Sequence, residues 1–441
     1  MPLGVEVTRA VEGVDLTVDE ARLVADLQQL AQFGRNEQGG IDRASFSPAD
    51  LAARTWLLGR CDEAGLHAET DGIGNIVISS PSLEEGITDQ DAVWTGSHID
   101  AVPNGGAFDG PVGALAAIES LRRLHEEGVR LARPVRAVVY ADEEGNYAHL
   151  LGSSAIARGF TVEELSRLAG RDGDRFADAF TAAGGGLEAA ARTHRERSSL
   201  HATVELHIEQ GPVLEDRGVD IGIVTGIVDI GGGTVRFTGR ADHAGTTPMG
   251  RRKDAAVAAA EFICRLPELA PLVSTTAVVT SGIVRLVPGG SNVIPGAAEV
   301  VVDLRDRSYE RTAQLERLIV DAAEEVAARH GMELAFDFEQ IVPGAVMDDG
   351  IRAVIGEVAA GLGYSTMDIQ SGAGHDSQNM ATLAPTGMIF VPSTGGRSHS
   401  PAEHTPWPDV VRGANTLLRT VAHLASAAVV PGVGSDVRTA T

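Results

Sequence analysis

Histidine and acidic residues cluster where strand-like segments of this sequence end. The densest group is Gly96-Ser97-His98-Ile99-Asp100, followed by Phe108-Asp109-Gly110 and Asp142-Glu143-Glu144-Gly145. Two β-prone stretches, 92–95 and 135–141, directly precede the first and third groups. Open α/β sheets bind ligands beyond the carboxyl ends of their strands, so these side chains are predicted to share one site.

Imidazole and carboxylate groups suit Zn²⁺, Mn²⁺, Co²⁺ or Ni²⁺, and a carboxylate can bridge two such ions. Asp109 is the natural bridge, and Asp100 is predicted to accept the second ring N–H of His98 and so fix its tautomer. Neighbouring side chains of a strand end point in opposite directions. One of Glu143 and Glu144 is therefore predicted to ligate a metal, while the other faces a water that the metal acidifies. The spacing does not say which does which.

Length and composition limit the class of protein. The chain has 441 residues, and single hydrophobic cores stop growing at roughly 250–300 residues, so two domains are expected. A net charge of -25 argues against nucleic acid or an anionic membrane surface as a partner. No apolar stretch is long enough to span a bilayer, and the first thirty residues resemble neither a signal nor a transit peptide.

The two cysteines, Cys61 and Cys264, are too few for a disulfide framework and are predicted to be small buried residues. A reducing cytoplasm is the expected location. After about residue 425 the sequence becomes small and contains glycine and proline, which is typical of a disordered tail.

Helix and strand signals predict an α/β fold of two domains. Residues 17–20 resemble a capping box at the start of a first helix, and Ser47-Pro48 opens a second. Pro111 begins a helix that connects two strands in a strand-helix-strand unit. After His207 the order becomes βαββαβ, which describes a small split sheet with two helices on one face.

A catalytic metal-binding α/β domain, 1–213 and 343–441, is thus predicted to be interrupted by a smaller βαββαβ domain at 214–342. The predicted elements of this smaller domain are strand 234–238, helix 254–266, strands 276–287 and 298–304, helix 311–330 and strand 333–338.

Six motifs together resemble the hydantoinase/carbamoylase branch of the M20 metallopeptidase-like amidohydrolases, a branch that includes N-carbamoyl-L-amino-acid hydrolases, allantoate amidohydrolases and β-ureidopropionases. They cover nearly the whole chain in order: residues 95–106, 108–110, 142–146, 205–212, 242–249 and 398–401.

The resemblance implies two divalent ions per chain, one held by His98 and His207 and one by Glu144 and His399, with Asp109 bridging them. It makes Glu143 the general base and acid. Three further residues, with the backbone at Gly374, would surround the substrate carboxylate: Gln210, Asn292 and Arg305. The guanidinium of Arg305 can grip a carboxylate with two parallel hydrogen bonds.

The resemblance also implies a homodimer in which His243 reaches into the partner's site and stabilises the developing oxyanion. The smaller domain would be both lid and dimer interface.

Purely structural interpretations remain open for several residues. His207 can be an ordinary strand histidine, and Arg305 can pair with Asp303 or Asp306. His375-Asp376 lies in a family motif without an assigned role. Many relatives have Arg-Phe where this chain has Tyr147-Ala148, which makes the pocket wall uncertain.

The predicted function is hydrolysis of the ureido C–N bond of a small N-carbamoyl-L-amino acid, which releases ammonia, carbon dioxide and the amino acid. Allantoate amidohydrolase is the alternative, because both substrates carry a carboxylate and a ureido group. An aminoacylase or dipeptidase is less favoured, since peptidase relatives more often have an acidic ligand at the position of His207. A non-catalytic protein that has lost the activity of this fold is disfavoured, because all five predicted ligand residues and Glu143 are present.

Overall fold

The structure is a computed structural model that describes residues 16–84, 87, 91–194 and 200–426. Two predictions fall wholly or partly outside these ranges: the disordered tail after about residue 425 and the absence of a leader peptide in the first thirty residues. None of the described helices is both long enough and apolar enough to cross a lipid bilayer.

The described chain alternates helices and strands. The strands are β1 His67–Thr70, β2 Ile76–Ser79, β3 Ala92–His98, β4 Val135–Tyr140, β5 Leu200–Ile208, β6 Ile221–Ile227, β7 Asp229–Thr238, β8 Asp242–His243, β9 Val278–Val287, β10 Val293–Ile294, β11 Ala297–Asp306, β12 Glu333–Phe338, β13 Ala345–Val346, β14 Thr366–Ser371 and β15 Thr386–Val391. The α-helices are α1 Glu20–Leu30, α2 Pro48–Glu63, α3 Pro111–Glu126, α4 Leu151–Ala157, α5 Val162–Arg167, α6 Phe176–Ala182, α7 Leu187–Ala190, α8 Val213–Arg217, α9 Ala255–Val273, α10 Tyr309–His330, α11 Asp349–Gly361, α12 Asp376–Met380 and α13 Trp407–Ser426.

The chain divides into two compact units. The first contains the described residues up to Thr225, the segment Met347–Ile369 and the described residues from His375 onward. The second contains Gly226–Val346 together with Gln370–Gly374. The second unit therefore interrupts the first in sequence. The sequence predicted that this unit spans 214–342, and the structure places its start about twelve residues later and its end four residues later.

The sheet of the first unit runs in the order β1-β2-β4-β3-β5-β15-β6, and β14 also pairs with β6. The central strands β4, β3, β5 and β15 are mutually parallel. Their carboxyl ends therefore meet at one edge of the sheet. All seven residues of β3 are buried, as expected for a strand covered on both faces. Helices α3 and α13 pack on this sheet.

The predicted helix starts are confirmed at two of three positions. Ser47 caps α2 by accepting the N–H of Asp50, and Pro48 is its first residue. Helix α3 begins at Pro111. The capping box predicted at 17–20 is wrong, because Asp19 is the N-cap and accepts the N–H of Arg22. An aspartate one residue before the helix can reach the free N–H groups directly.

The second unit has its own four-stranded sheet in the order β12-β7-β11-β9. Every pair of neighbouring strands in this sheet is antiparallel. Helices α9 and α10 pack on it and supply Phe262 and Ile319 to a core of buried apolar residues. The two short strands β8 and β10 pair with each other. This is the βαββαβ arrangement that the sequence predicted.

The prediction that both cysteines are buried is wrong for Cys264. Cys61 is fully buried in the core of the first unit, whereas Cys264 is exposed on α9. The buried face of α9 is formed by Ala255, Ala258, Ala259, Phe262, Leu266, Leu269 and Ala270, so position 264 lies on the opposite side of the helix.

Truncation of Phe262 tests the core of the second unit. Phe262 is 0% exposed and its ring lies 5.6 Å from that of Phe237. Phe262→Ala is expected to lower the free energy of unfolding by about 3–5 kcal/mol through lost burial and the cavity left behind. Met249→Ala, at a position 77% exposed, is the control and should change it little. Denaturant unfolding measures both, and equal values for the two variants would contradict this core assignment.

Candidate metal centre

Four neighbouring strands deliver the predicted metal ligands to one place. His98 is the last residue of β3, and His207 is the penultimate residue of β5. Glu144 follows β4, and His399 follows β15. Because these strands are parallel and adjacent, their carboxyl ends bring the ligands together, as predicted.

The first ligand group consists of His98, Asp109 and His207, all buried. Asp109 Oδ1 lies 3.6 Å from His98 Nε2 and 3.2 Å from His207 Nε2. The Nδ1 atom of His98 lies 3.1 Å from the carbonyl oxygen of Asp100, and that of His207 lies 2.9 Å from the carbonyl of Ile208. Each Nδ1 therefore carries the ring proton, which leaves a lone pair on each Nε2.

The prediction that Asp100 accepts the second ring N–H of His98 is confirmed, and the structure identifies the accepting atom. The backbone carbonyl of Asp100 is the hydrogen-bond acceptor, and the nearest carboxylate oxygen is 3.5 Å from Nδ1. The other carboxylate oxygen accepts the backbone N–H of Glu144 at 3.2 Å. Asp100 therefore helps to place the loop after β4 as well as the ring of His98.

Glycine at position 110 allows Asp109 and His98 to approach each other. Gly110 has φ +80°, and a Cβ atom there would lie 2.4–2.5 Å from three atoms of the His98 ring. Any other side chain would displace the ring. Gly110 also precedes Pro111, so the turn that presents Asp109 leads straight into α3.

The second ligand group consists of Asp109, Glu144 and His399. His399 Nε2 lies 3.4 Å from Asp109 Oδ2 and 3.5 Å from Glu144 Oε1. The two oxygens of Asp109 thus face different groups, as required of a bridging carboxylate. The His399 side chain is 50% exposed, and its backbone adopts φ +53°, so this ligand lies in a turn at the opening of the site.

The donor set fits a pair of divalent cations. In the described part of the chain, the Nε2 atoms of His98 and His207 are buried without a hydrogen-bond partner, an arrangement that costs free energy unless another group occupies the space. Tetrahedral sites with bonds of about 2.0–2.1 Å place neighbouring ligand atoms roughly 3.3–3.4 Å apart. The separations of 3.2–3.6 Å around Asp109 agree with that spacing.

Electrostatics in this cluster favour added positive charge. Burial alone would raise the pKa of Asp109, but the imidazoles of His207, His399 and His98 outweigh it and hold the pKa well below its usual value. Burial, and to a smaller extent repulsion from Asp109, raises the pKa of Glu144 to about 7. The contact with Asp109 raises the pKa of His399 to about 9.

Glu143 faces the first ligand group without belonging to it. Its Oε2 lies 3.5 Å from His98 Nε2, and the side chain is buried. Burial, with repulsion from Glu144, raises the pKa of Glu143 well above its usual range despite the opposing effect of His98. A buried carboxyl group of this kind can take up and release a proton.

The two glutamates diverge because of a turn, and not because of strand alternation as the sequence suggested. Strand β4 ends at Tyr140, and Asp142 has φ +56°. The Asp142 carboxylate accepts the N–H groups of Asn146, Tyr147 and Ala148, each at 2.9 Å. This capped turn fixes the directions of the side chains that follow it.

Tyr147, where the sequence indicated a different pocket wall, packs into a separate aromatic cluster. Its hydroxyl donates to Asp174 at 2.5 Å, and its ring lies 5.4 Å from that of Phe176 and 6.3 Å from that of Phe46. Tyr147 therefore anchors the loop to helix α6.

A buried polar network behind His207 escaped the sequence interpretation. Glu205 accepts the hydroxyl of Ser97 at 2.8 Å and that of Ser377 at 2.7 Å. The ring of His375 packs edge-on against His207 with centroids 4.5 Å apart. Glu205, His207 and His375 lie close enough to hold a metal, but the oxygens of Glu205 are already occupied by donors. The network supports His207 from behind, a role that the Glu-Leu-His motif alone does not reveal.

Gln210 lies at the metal centre. Its Nε2 donates to Asp109 Oδ2 at 2.6 Å, and its backbone adopts φ +59°. The predicted contact of Gln210 with a substrate carboxylate stays a prediction.

The remaining predicted substrate contacts lie in the second unit. His243 is exposed, and its Nδ1 accepts the N–H groups of Gly245 and Thr246 at 3.0 and 3.2 Å. The proton of its neutral ring is therefore on Nε2, which is free to donate. The Asn292 carbonyl oxygen accepts the N–H of Ala244, so Asn292 and His243 are held close together.

Arg305 is paired within the second unit, as one of the blander interpretations anticipated. Its guanidinium donates to Asp303 at 2.9 and 3.2 Å and to the carbonyl of Gly372 at 2.9 Å. Gly374 follows in the same turn. The structure thus brings Arg305 to the backbone segment that the resemblance associated with it.

The family model for peptidase family M20/M25/M40 matches residues 94–423. The chain belongs to this family, whose hydantoinase/carbamoylase branch hydrolyses amide C–N bonds. It is 37% identical over 407 residues to the N-carbamoyl-L-amino acid amidohydrolase of Geobacillus stearothermophilus, covering 92% of this chain and 98% of that protein. The allantoate amidohydrolase of Escherichia coli is 36% identical over 405 residues, covering 90% and 96%.

A crystal structure of an amidase of the hydantoinase/carbamoylase family from Burkholderia vietnamiensis superimposes with a TM-score of 0.86 at 32% identity, covering 94% of this chain and 99% of that one. These similarities confirm the predicted branch, the mixed α/β fold and the enzyme class. M20 enzymes depend on metal ions, and the two groups around Asp109 are the candidate ligands in this chain.

Removal of one imidazole tests the first ligand group. His207→Ala is expected to lower the number of ions bound per chain, because Asp109 and His98 alone leave the site incomplete. His201→Ala, on the same strand but outside every candidate ligand group of the described residues, is the matched control. Elemental analysis after dialysis against a defined metal buffer measures both, and an unchanged ion content in His207→Ala would remove His207 from the ligand set.

Proposed function

We propose that this enzyme hydrolyses the ureido group of a small N-carbamoyl-L-amino acid. Water adds to the carbamoyl carbon, the C–N bonds of that carbon break, and the products are ammonia, carbon dioxide and the free amino acid. The observation that carries the proposal is the pair of ligand groups that share Asp109, with the buried carboxyl group of Glu143 beside them.

His98, Asp109 and His207 would hold one divalent cation, and Asp109, Glu144 and His399 the other. Such ions acidify water and polarise a carbonyl oxygen. Glu143 then acts as the general base and acid: its Oε2 takes a proton from the attacking water and passes it to the departing nitrogen. The burial that raises the pKa of Glu143 suits this role, because it makes the carboxyl group a better proton acceptor than an exposed glutamate.

Recognition of the substrate carboxylate is assigned to Gln210, Asn292, Arg305 and the backbone at Gly374. An arginine can bind a carboxylate through two parallel hydrogen bonds. Arg305 already donates to Asp303, so a substrate carboxylate would take over donors from an existing ion pair. An uncharged analogue could not compete with Asp303 for the guanidinium of Arg305, so binding at Arg305 would favour acids.

Allantoate is the second candidate substrate, since it also presents a carboxylate and a ureido group and since the Escherichia coli relative carries that name. A dipeptidase or aminoacylase is disfavoured by the imidazole of His207, where an acidic ligand is more usual. A free thiol exposed at Cys264 suits a reducing compartment, and we place the enzyme in the cytoplasm.

A substrate panel tests the proposal. The metal-free protein is reconstituted separately with Zn²⁺, Mn²⁺, Co²⁺ and Ni²⁺, and ammonia release is measured with N-carbamoyl-L-amino acids, their D-enantiomers, allantoate, dipeptides and N-acetyl amino acids. We expect the highest kcat/KM with an N-carbamoyl-L-amino acid. Turnover of allantoate alone would make allantoate amidohydrolase the correct assignment, and turnover of peptides alone would refute ureido hydrolysis.

We further propose a homodimer in which the second unit forms the interface. Strand β9 is an edge strand of its sheet, and it carries a row of exposed apolar side chains: Val278, Ile283, Val284, Leu286 and Val287. A ten-residue edge strand with several exposed apolar side chains favours pairing with another chain. His243 would then complete the partner's site with its free Nε2–H, which can stabilise a developing oxyanion.

Mixing two inactive variants tests whether His243 acts in the partner's site. Glu143→Gln is expected to retain its ions and lose roughly 100- to 10,000-fold in kcat, and His243→Ala is expected to lose activity while still dimerising. Unfolded and refolded together in equal amounts, they should recover about a quarter of wild-type activity. Half of the dimers would be mixed, and each would contain one complete site.

The control for this complementation is each variant refolded alone, which should stay inactive. If His243 acts within its own chain, the mixture has no complete site and recovers nothing. Sedimentation of each variant confirms that dimers are present in both cases.

A further inference from the structure

The buried carboxylate of Glu403 connects the two loops that carry the bridging ligand and the outer histidine. Its Oε1 accepts the backbone N–H groups of Phe108 and Asp109 at 2.8 and 2.9 Å. Its Oε2 accepts the N–H of His399 at 3.3 Å and lies 2.9 Å from the hydroxyl oxygen of Ser398. Three backbone N–H groups and one hydroxyl, from segments almost three hundred residues apart, therefore converge on one side chain.

The surroundings of Glu403 indicate that its side chain serves this connection and no other contact among the described residues. The side chain is 5% exposed, and the described residues supply no salt-bridge partner for it. A carboxylate buried without a cation is costly unless hydrogen bonds compensate. A carboxylate offers about four lone-pair positions on two oxygens, whereas the amide of glutamine offers one accepting oxygen and would turn N–H donors towards one of the loops.

Ser398 extends this connection to the bridging carboxylate itself. Its hydroxyl lies 2.6 Å from Asp109 Oδ2 and 2.9 Å from Glu403 Oε2. Asp109 Oδ2 is the oxygen that faces His399. Glu403 therefore contacts the backbone of both Asp109 and His399. The hydroxyl of Ser398 lies between Glu403 and Asp109 Oδ2.

The two ligand groups depend on this brace to different degrees. His98 and His207 belong to buried central strands and have their Nδ1 atoms bound to backbone carbonyls. His399 lies in a half-exposed turn with φ +53°. Loss of the brace should thus release His399 first, because the two imidazoles of the first group are held by other contacts.

We propose that Glu403 is a positioning residue for the second metal-ligand group, Asp109, Glu144 and His399. It holds the Asp109 and His399 loops at the separation that a shared pair of ions requires. The ligand identities rest on the proposed function, but the inference concerns how the ions are held and not which substrate is cleaved.

The test is the metal-binding stoichiometry and affinity of Glu403→Gln. Metal-free protein is equilibrated with Zn²⁺ or Mn²⁺ over a range of buffered free concentrations, and bound ions are counted by elemental analysis. We expect one ion to bind as in the wild type and the other to bind about 10- to 100-fold more weakly, the usual effect of removing a group that supports a metal ligand. Two ions bound with wild-type affinity would overturn the proposal.

A second variant perturbs the brace without changing its chemistry. A Cβ atom at Gly106 would lie 2.0 Å from Oε1 of Glu403, so Gly106→Ala should push the carboxylate out of its position. The same selective loss of one ion is expected. This variant keeps the inference testable if Glu403→Gln does not fold, and normal binding of both ions by folded Gly106→Ala would overturn the proposal.

Glu119→Gln is the matched control. Glu119 is also a fully buried glutamate that joins distant segments, through the N–H of Asp19 and the side chain of Arg22, but it is not among the ligands or their partners. It should bind both ions normally even if its melting temperature falls. Glu403→Gln should differ from it in weakening one ion selectively, whatever the change in its own melting temperature.

The outcomes separate this inference from the proposed function. Equal weakening of both ions, or a wild-type protein that binds only one ion, would overturn the role of Glu403. A wild type that binds two ions but hydrolyses no ureido compound would overturn the proposed function and leave the positioning role standing on the ion counts.

Discussion

The burial of one carboxylate among three imidazoles is the constraint on which the rest of the first unit depends. Asp109 lies within 3.2–3.6 Å of Nε2 atoms from His98, His207 and His399. A carboxylate in that position is stable only when the surrounding groups supply positive charge and hydrogen bonds. Parallel strands bring the imidazoles, a glycine lets one ring approach, and Gln210 and Ser398 donate to the outer oxygen.

The sequence predicted the strand ends and the clustering of His98, Asp109 and the two glutamates because both depend on local information. Apolar β-prone runs followed by histidine or acidic residues mark the carboxyl ends of buried strands, and parallel neighbours bring such ends together. The βαββαβ order of the second unit was equally readable, since its helices and strands have clear periodicity. The prediction that His207 and His399 bind metal rests on the resemblance to a family, because no local pattern marks them.

Details that depend on distant partners could not be predicted. The direction of Glu143 and Glu144 is set by the turn at Asp142, whose carboxylate caps three N–H groups, and strand alternation gave the wrong reason for it. The sequence identified Asp100 as the acceptor for His98, but not that its backbone carbonyl is the accepting group. Glu403 follows His399 by four residues, yet its contacts with Phe108 and Asp109 cross almost the whole chain. No local pattern reveals them.

Position 110 limits how this enzyme can be changed by mutation. Since a methyl group there would overlap the ring of His98, every substitution at this position disturbs a first-group ligand before it alters anything about the substrate. In a random library aimed at new specificity, every variant at position 110 would carry a displaced His98 ring. Diversity placed instead around Arg305 and Asn292, the proposed substrate contacts in the second unit, leaves the candidate metal ligands untouched.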